Sequence, residues 1–235
     1  MDDLISLIRA ELESNIDMRT KENSSRFFKE NVKCYGVKTA LVSKMAKKYF
    51  NLVSEKSKNE IYSYCEELLI SDYLEESFIA FKWAYSLKDQ YEPEDFAVFE
   101  RWVGDYVNNW AKCDTLCNHT IGTFIQMYPQ YIDSLKNWTS SQNRWYKRAA
   151  AVSLIVPARK GEFFNEILEI ADMLLTDDDD LVRKGYGWML KEASREHQQE
   201  IFEYVMQHKK IMPRTSLRYA IEKFPKDMRN KAMEK

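Results

Sequence analysis

Punctuation is what this sequence lacks. Its 235 residues hold only six Gly and five Pro, so few positions can form a tight turn or stop a helix. Apolar residues recur at spacings of three and four, as in Leu4, Ile5, Ile8 and Leu12 and again in Ile167, Ile170, Ala171 and Leu174. No strand alternation competes, so an all-α chain is expected. Breaks are expected near Gly36, Pro93, Gly104, Pro129, residues 157–161, residues 177–180, Pro213 and Pro225, which divides the chain into roughly a dozen helices. Short links between them suggest an antiparallel stack within a single domain spanning residues 1–235.

Two later segments resemble each other. Lys147-Arg-Ala-Ala-Ala-Val-Ser-Leu and Val182-Arg-Lys-Gly-Tyr-Gly-Trp-Met-Leu both follow a polar or acidic turn, open on basic residues and start about 36 residues apart. A period of roughly 40 residues with two helices per unit is the signature of a HEAT-like solenoid, whose concave face is a natural binding surface. The first hundred residues show no clear period.

A hydrophobic fraction of 45% and a charged fraction of 31% are those of a folded chain. The apolar runs are interrupted well short of the roughly 18 residues that cross a bilayer, and the N-terminal Met1-Asp-Asp-Leu lacks a basic signal region, so a cytoplasmic protein without membrane contact is expected. Cys34, Cys65, Cys113 and Cys117 form no framework spacing and are expected as free thiols. Cys113, Cys117 and His119 lack a fourth ligand at a known zinc spacing, so no metal or other cofactor is expected. The acidic run at 177–180 is read as a helix N-terminus, where carboxylates meet the positive end of the dipole. His197 and His208 are read as surface residues, and Trp83, Trp102, Trp138 and Trp145 as core.

Chemistry concentrates in Trp110-Ala-Lys-Cys-Asp114, Arg144-Trp-Tyr-Lys-Arg148 and Gly185-Tyr-Gly-Trp188. Trp110 and Asp114 are four residues apart and share a helix face. Residues 141–160 carry Arg144, Lys147, Arg148, Arg159 and Lys160 with no acid, a local phosphate-binding signal. Lys184, Trp188 and Lys191 fall on one face at spacings of four and three. Residues 204–235 hold nine Lys or Arg against three acids. The net charge of −2 limits any affinity for nucleic acid to modest and salt-sensitive.

These patches, with Phe27-Phe28-Lys-Glu-Asn31, Tyr35-Gly36-Val-Lys-Thr39 and Gly187-Trp188-Met-Leu-Lys191-Glu, resemble the AlkD-like family of alkylpurine DNA glycosylases, DNA alkylation repair proteins built from HEAT-like repeats. The resemblance implies that Trp110 and Trp188 form aromatic walls of a lesion cleft, that Asp114 is the catalytic carboxylate and that Arg148 holds the DNA backbone. It adds Lys38 and Thr39 to the DNA-binding set of Arg144, Lys147, Arg159, Lys160, Lys184 and Lys191. The implied partner is double-stranded DNA containing alkylated bases; a solenoid with polar terminal helices needs no second copy, so a monomer is expected. Two positions depart from the family: Ala111 stands where an acid commonly follows the first cleft tryptophan, and Ala-Leu-Val-Ser follows Thr39 in place of Pro and a charged cluster.

The implied chemistry suits these residue types. An N3- or N7-alkylated purine is already cationic, so it can leave without being protonated, whereas glycoside hydrolysis usually needs two carboxylates. One anion then suffices to stabilise an oxocarbenium-like sugar and position water, and indole faces attract a cationic base. Three functions follow from the sequence: a monofunctional glycosylase hydrolysing the N-glycosidic bond of cationic N3- or N7-alkylated purines, a non-catalytic relative that binds damaged or branched DNA, and a protein-interaction scaffold favoured by the acidic composition of residues 55–100.

Overall fold

The computed structural model describes residues 2–234, with the side chains of Asp2, Ser25 and Arg26 outside the described set; Lys235, one of the C-terminal cations, also lies outside it. Among the described residues there are helices and turns but no strand, as the apolar spacing predicts. None of these helices is long and apolar enough to cross a membrane. The chain divides into two compact units, residues 1–95 with 105–115 and residues 96–104 with 116–235.

The first unit opens with α1 (Asp2–Ser14), α2 (Met18–Phe27), α3 (Thr39–Phe50), α4 (Lys58–Ile70) and α5 (Leu74–Ser86). Helix α4 starts with a capping box: Ser57 Oγ accepts from the Glu60 amide, and the Glu60 carboxylate accepts from the Ser57 amide. Ile5, Ile8, Leu12, Met45, Ile61, Leu68, Phe81 and Trp83 are buried to 2% exposure or less and form its core. The Trp83 indole donates to Ala46 O at 2.8 Å, which lets a bulky amphipathic ring occupy the centre with its polar atom satisfied.

The link from α2 to α3 is long and would leave backbone groups unpaired without help. Glu75, in the first turn of α5, accepts from three consecutive amides, Tyr35 N (3.0 Å), Gly36 N (2.8 Å) and Val37 N (3.0 Å). Beside it the fully buried Glu76 takes Arg9 Nε at 3.2 Å and the Tyr35 hydroxyl at 2.7 Å. Gly36 is required here on two counts: its φ is +93°, and a Cβ would lie 2.5 Å from Lys21 Cβ.

Helix α6 (Asp95–Asp105) belongs mainly to the second unit, and α7 (Trp110–Thr115) to the first, where it packs against α5. A π-helical turn, Leu116–Ile121, follows, then α8 (Gly122–Met127), α9 (Ile132–Trp138), α10 (Arg144–Val152), α11 (Ile155–Arg159), α12 (Phe164–Leu174), α13 (Asp180–Ala193), α14 (Gln198–His208), α15 (Arg214–Ala220) and α16 (Lys226–Met233). Helices α10, α13 and α15 lie side by side, with α9 and α12 backing the first two. Two glycines lie on opposite faces of α13, and only Gly187 marks a close approach. A Cβ on Gly185 would touch Arg148 Cγ at 3.4 Å on α10, and one on Gly187 would stand 2.9 Å from Ser216 O on α15.

Gly104 lies one residue before the end of α6 and Pro129 opens a short 3-10 turn between α8 and α9, while the expected breaks at Gly36, Pro93, 177–179, Pro213 and Pro225 fall between helices. Pro157 does not: it lies inside α11, and the chain turns at Gly161, whose φ is +77°. The repeat is clearer in the contacts than in the sequence. In the second unit Lys147 meets Asp177, Arg159 meets Glu192 and Tyr204 meets Asp172, 30 to 33 residues apart. In the first unit Lys58 meets Glu92, Trp83 meets Ala46 and Lys112 meets Asp72, 34 to 40 residues apart. Within each unit such ties recur at offsets of 30 to 40 residues, including in the first hundred residues where no period is legible.

Candidate functional residues on α7, α10 and α13

Helix α7 is short, so its orientation depends on anchoring. Asn109, fully buried, accepts from the Lys112 amide at 3.0 Å and covers one exposed donor of the helix start. Ala111, Lys112 and Cys113 are buried, while Trp110 and Asp114 are half-buried, as expected for residues one turn apart on the opposite face. Lys112 fixes the underside. Its ammonium is paired with the Asp72 carboxylate, whose Oδ1 also takes Asn108 Nδ2 at 2.7 Å. Burial pushes the Lys112 ammonium below its usual pKa against the pull of Asp72. Burial would raise the Asp72 carboxyl, but hydrogen bonds from Lys112 and Asn108 prevail and hold it below the usual carboxylate range. Asp72 reaches this place through a left-handed backbone, φ 63°, a conformation that Asp tolerates better than most residues.

The Trp110 ring stacks on Phe28 (centroids 5.3 Å, 28°) and meets Phe27 edge-on (5.4 Å, 65°), and Phe27 is 69% exposed. Asp114 is followed within two residues by the π-helical turn, a widening of the backbone that often marks functional positions. Lys38, 71% exposed at its side chain, reaches Asp17 at 3.6 Å, and Thr39 begins α3 at the surface.

In the second unit Arg148 is 5% exposed and its Nη1 donates to Leu181 O. Gly185 packs against the Arg148 side chain, where an added Cβ would make ordinary contact, 3.4 Å from Cγ and 3.6 Å from Nη1. Trp188 is half-buried on the next turn of α13, with its indole N–H on Glu192 Oε1 at 3.4 Å and Lys191 Nζ 5.9 Å from its ring centre.

Other cations of the basic stretch are held by acids that the sequence places far away. Arg144 pairs with Asp179 at 2.8 Å, Lys147 with Asp177 at 2.6 Å, Arg159 with Glu192 at 2.8 Å and Lys191 with Glu222 at 3.2 Å. Lys184 pairs with Asp180 at 2.8 Å, and Lys160 reaches Gln126 Oε1 at 3.4 Å. Acid-free sequence is therefore not acid-free space. The run at 177–180 does cap a helix, with Asp179 accepting from the Leu181 and Val182 amides, and it also supplies these partners. Trp83, Trp102, Trp138 and Trp145 are buried as expected. His197 and His208 are not plain surface residues: both are half-buried, His197 on Gly161 O at 3.2 Å and stacked on Phe164, His208 on Tyr204 O at 2.8 Å.

The family model for the DNA alkylation repair enzymes matches residues 8–224, nearly the whole chain. The chain belongs to that family. A solved structure described as a predicted DNA alkylation repair enzyme from Enterococcus faecalis is similar over 88% of this chain and 96% of its own, with a TM-score of 0.79 at 15% identity, a likeness of fold. No curated protein matches. Family membership supports a role for this DNA alkylation repair protein in handling alkylated DNA, consistent with the aromatic and carboxylate pair on α7.

Proposed function

We propose that this protein is a monofunctional DNA glycosylase that releases cationic N3- or N7-alkylated purines from duplex DNA, acting as a monomer with HEAT-like repeats. The observation that carries the reading is the construction of α7: three inward residues, one of them a buried ion-paired lysine, hold Trp110 and Asp114 together on the outward face. Asp114 is the anion that stabilises the sugar as positive charge develops and that positions the attacking water. The N-glycosidic bond breaks with its electron pair going to the cationic base, which leaves neutral; water adds its hydroxyl to the sugar carbon, and its remaining proton passes by way of the Asp114 carboxylate to solvent. Trp110 and Trp188 offer π faces to the sugar and the charged base. Arg148 holds the DNA backbone, which requires its buried guanidinium to turn outward from Leu181 O, while Arg144, Lys147, Arg159, Lys160, Lys184, Lys191, Lys38 and Thr39 contribute further backbone contacts.

The more exposed ion pairs of the free protein, Arg144 with Asp179 and Lys184 with Asp180, do not oppose that role. A partly exposed pair is worth about 0–1 kcal/mol, so a phosphate can displace the acid at small cost. The reading is tested by measuring free 7-methylguanine released from methylated duplex DNA by the wild type and by Asp114→Asn. Release that is lost in the variant supports the glycosylase. Duplex binding by both proteins without release assigns the chain instead to DNA recognition alone.

A further inference from the structure

Glu192 is the one carboxylate of α13 that gathers three candidate DNA-facing groups. It is 3% exposed, yet Oε2 accepts from Arg159 Nε at 2.8 Å and from Arg195 Nε at 2.6 Å, while Oε1 faces the Trp188 indole N–H at 3.4 Å. The two arginine side chains are 50% and 43% exposed. Both engage the acid through Nε alone, and among the described residues neither donates an Nη to a protein group. Burial would raise the Glu192 carboxyl, but the hydrogen bonds from Arg195 and Arg159 prevail and lower it, so it stays ionised. The cluster carries one net positive charge and presents two outward guanidinium edges fixed about a common anchor.

We infer that Glu192 organises Arg159 and Arg195 into a two-arginine clamp for a DNA phosphodiester and, through the same carboxylate, sets the orientation of the Trp188 indole. Arg195 is the new member: it sits just past α13, next in space to Arg159 at the end of α11, and no sequence signal selects it. The guanidinium edges suit a phosphate because each can donate two parallel hydrogen bonds. Because the carboxylate that anchors the clamp also accepts from the Trp188 indole, grip on the backbone is linked to the set of the ring, so that Glu192 is a positioning residue rather than a catalytic one. This inference rests on the proposed duplex-binding reading.

The test uses undamaged duplex, so that it is independent of base release. Binding of the full chain to a fluorescent duplex is measured between 50 and 200 mM salt for the wild type, Arg195→Ala, Glu192→Gln and the control Lys88→Ala, whose cation pairs with its neighbour Asp89 in the first unit. Loss of one phosphate contact reduces the slope of log K against log salt by about 0.9, so over that fourfold range Arg195→Ala should lose roughly threefold less affinity than the wild type, from a weaker start. Glu192→Gln separates organisation from plain charge. Removing an acid beside a phosphate would tighten binding if Glu192 only repelled DNA, whereas loss of the anchor weakens it and also changes the Trp188 emission. Weaker binding in both variants with an unchanged control supports the clamp. An unchanged slope in Arg195→Ala, or tighter binding in Glu192→Gln, overturns it while leaving duplex binding intact. Failure of the wild type to bind duplex overturns the clamp and the proposed function together.

Discussion

Replacing Glu75 by Ala should strip the α2–α3 link of its anchor and destabilise the protein far more than loss of an ordinary surface acid. In the structure one carboxylate serves three backbone donors, at Tyr35, Gly36 and Val37, and is itself 4% exposed. A buried donor left without an acceptor costs about 1–3 kcal/mol, so three of them, with some relief from entering water, come to about 4 kcal/mol. For a chain of this size each kcal/mol moves the thermal midpoint by roughly 2–4 °C, which gives a drop of roughly 8–16 °C. Glu75→Gln is the sharper variant. It can keep one oxygen on Gly36 N and Val37 N but must turn an amide NH₂ toward Tyr35 N, so it should lie between the wild type and Ala. Thermal unfolding gives the midpoints, and hydrogen exchange should show faster exchange at the amides of 35, 36 and 37. If Glu75→Ala melts within about 2 °C of the wild type, or those three amides keep their protection, the carboxylate does not hold the link and the reasoning fails.

Gly187→Ala places a Cβ 2.8 Å from Tyr219 Cβ and 2.9 Å from Ser216 O, so α13 and α15 must separate. Overpacking costs about 1–3 kcal/mol, only partly offset by the better helix propensity of Ala, and the midpoint should fall. The Asp72 carboxyl is held below its usual range, so the stability it contributes is present above about pH 4 and is lost as pH falls through the lower folded value. Urea unfolding at pH 7 and pH 3 should therefore show a smaller acid-induced loss in Asp72→Asn than in the wild type, and an equal loss would contradict the assigned pairing with Lys112. Lys184→Ala removes an exposed pair with Asp180 one turn away, worth about 0.3–0.5 kcal/mol, and should leave the melting curve nearly unchanged while duplex affinity and its salt slope both fall.

What the sequence could and could not reveal follows from the range of the interactions. Residues whose role is set within a turn or two were legible: the apolar spacing of α12, the shared face of Trp110 and Asp114, the burial of Trp102 and Trp138, and the acidic start of α13. Residues whose partners lie one helix pair away were not. Nothing local marks Lys112 as buried, since a lysine on a helix is ordinarily exposed, and only Asp72, 40 residues earlier, makes its burial tolerable. Glu75 and Glu76 read as two more acids in an acidic segment, yet they act on residues 38 to 41 positions earlier and, through Arg9, 67 earlier. Arg159 looked free for phosphate because its acid stands 33 residues on. The recurring offset of 30 to 40 residues between partners was the missing signal. With it, acids one period away from each cation could have been matched in advance, although which of several would pair depends on side-chain reach that only the packed helices define.

Single-turnover release of 7-methylguanine from methylated duplex is the measurement closest to the proposed role of Asp114. Release by the wild type at low salt is expected, with a loss of at least about 100-fold in Asp114→Asn, the scale seen when a preorganised charge facing the transition state is removed, and with duplex affinity retained. Undiminished release by Asp114→Asn would contradict that role.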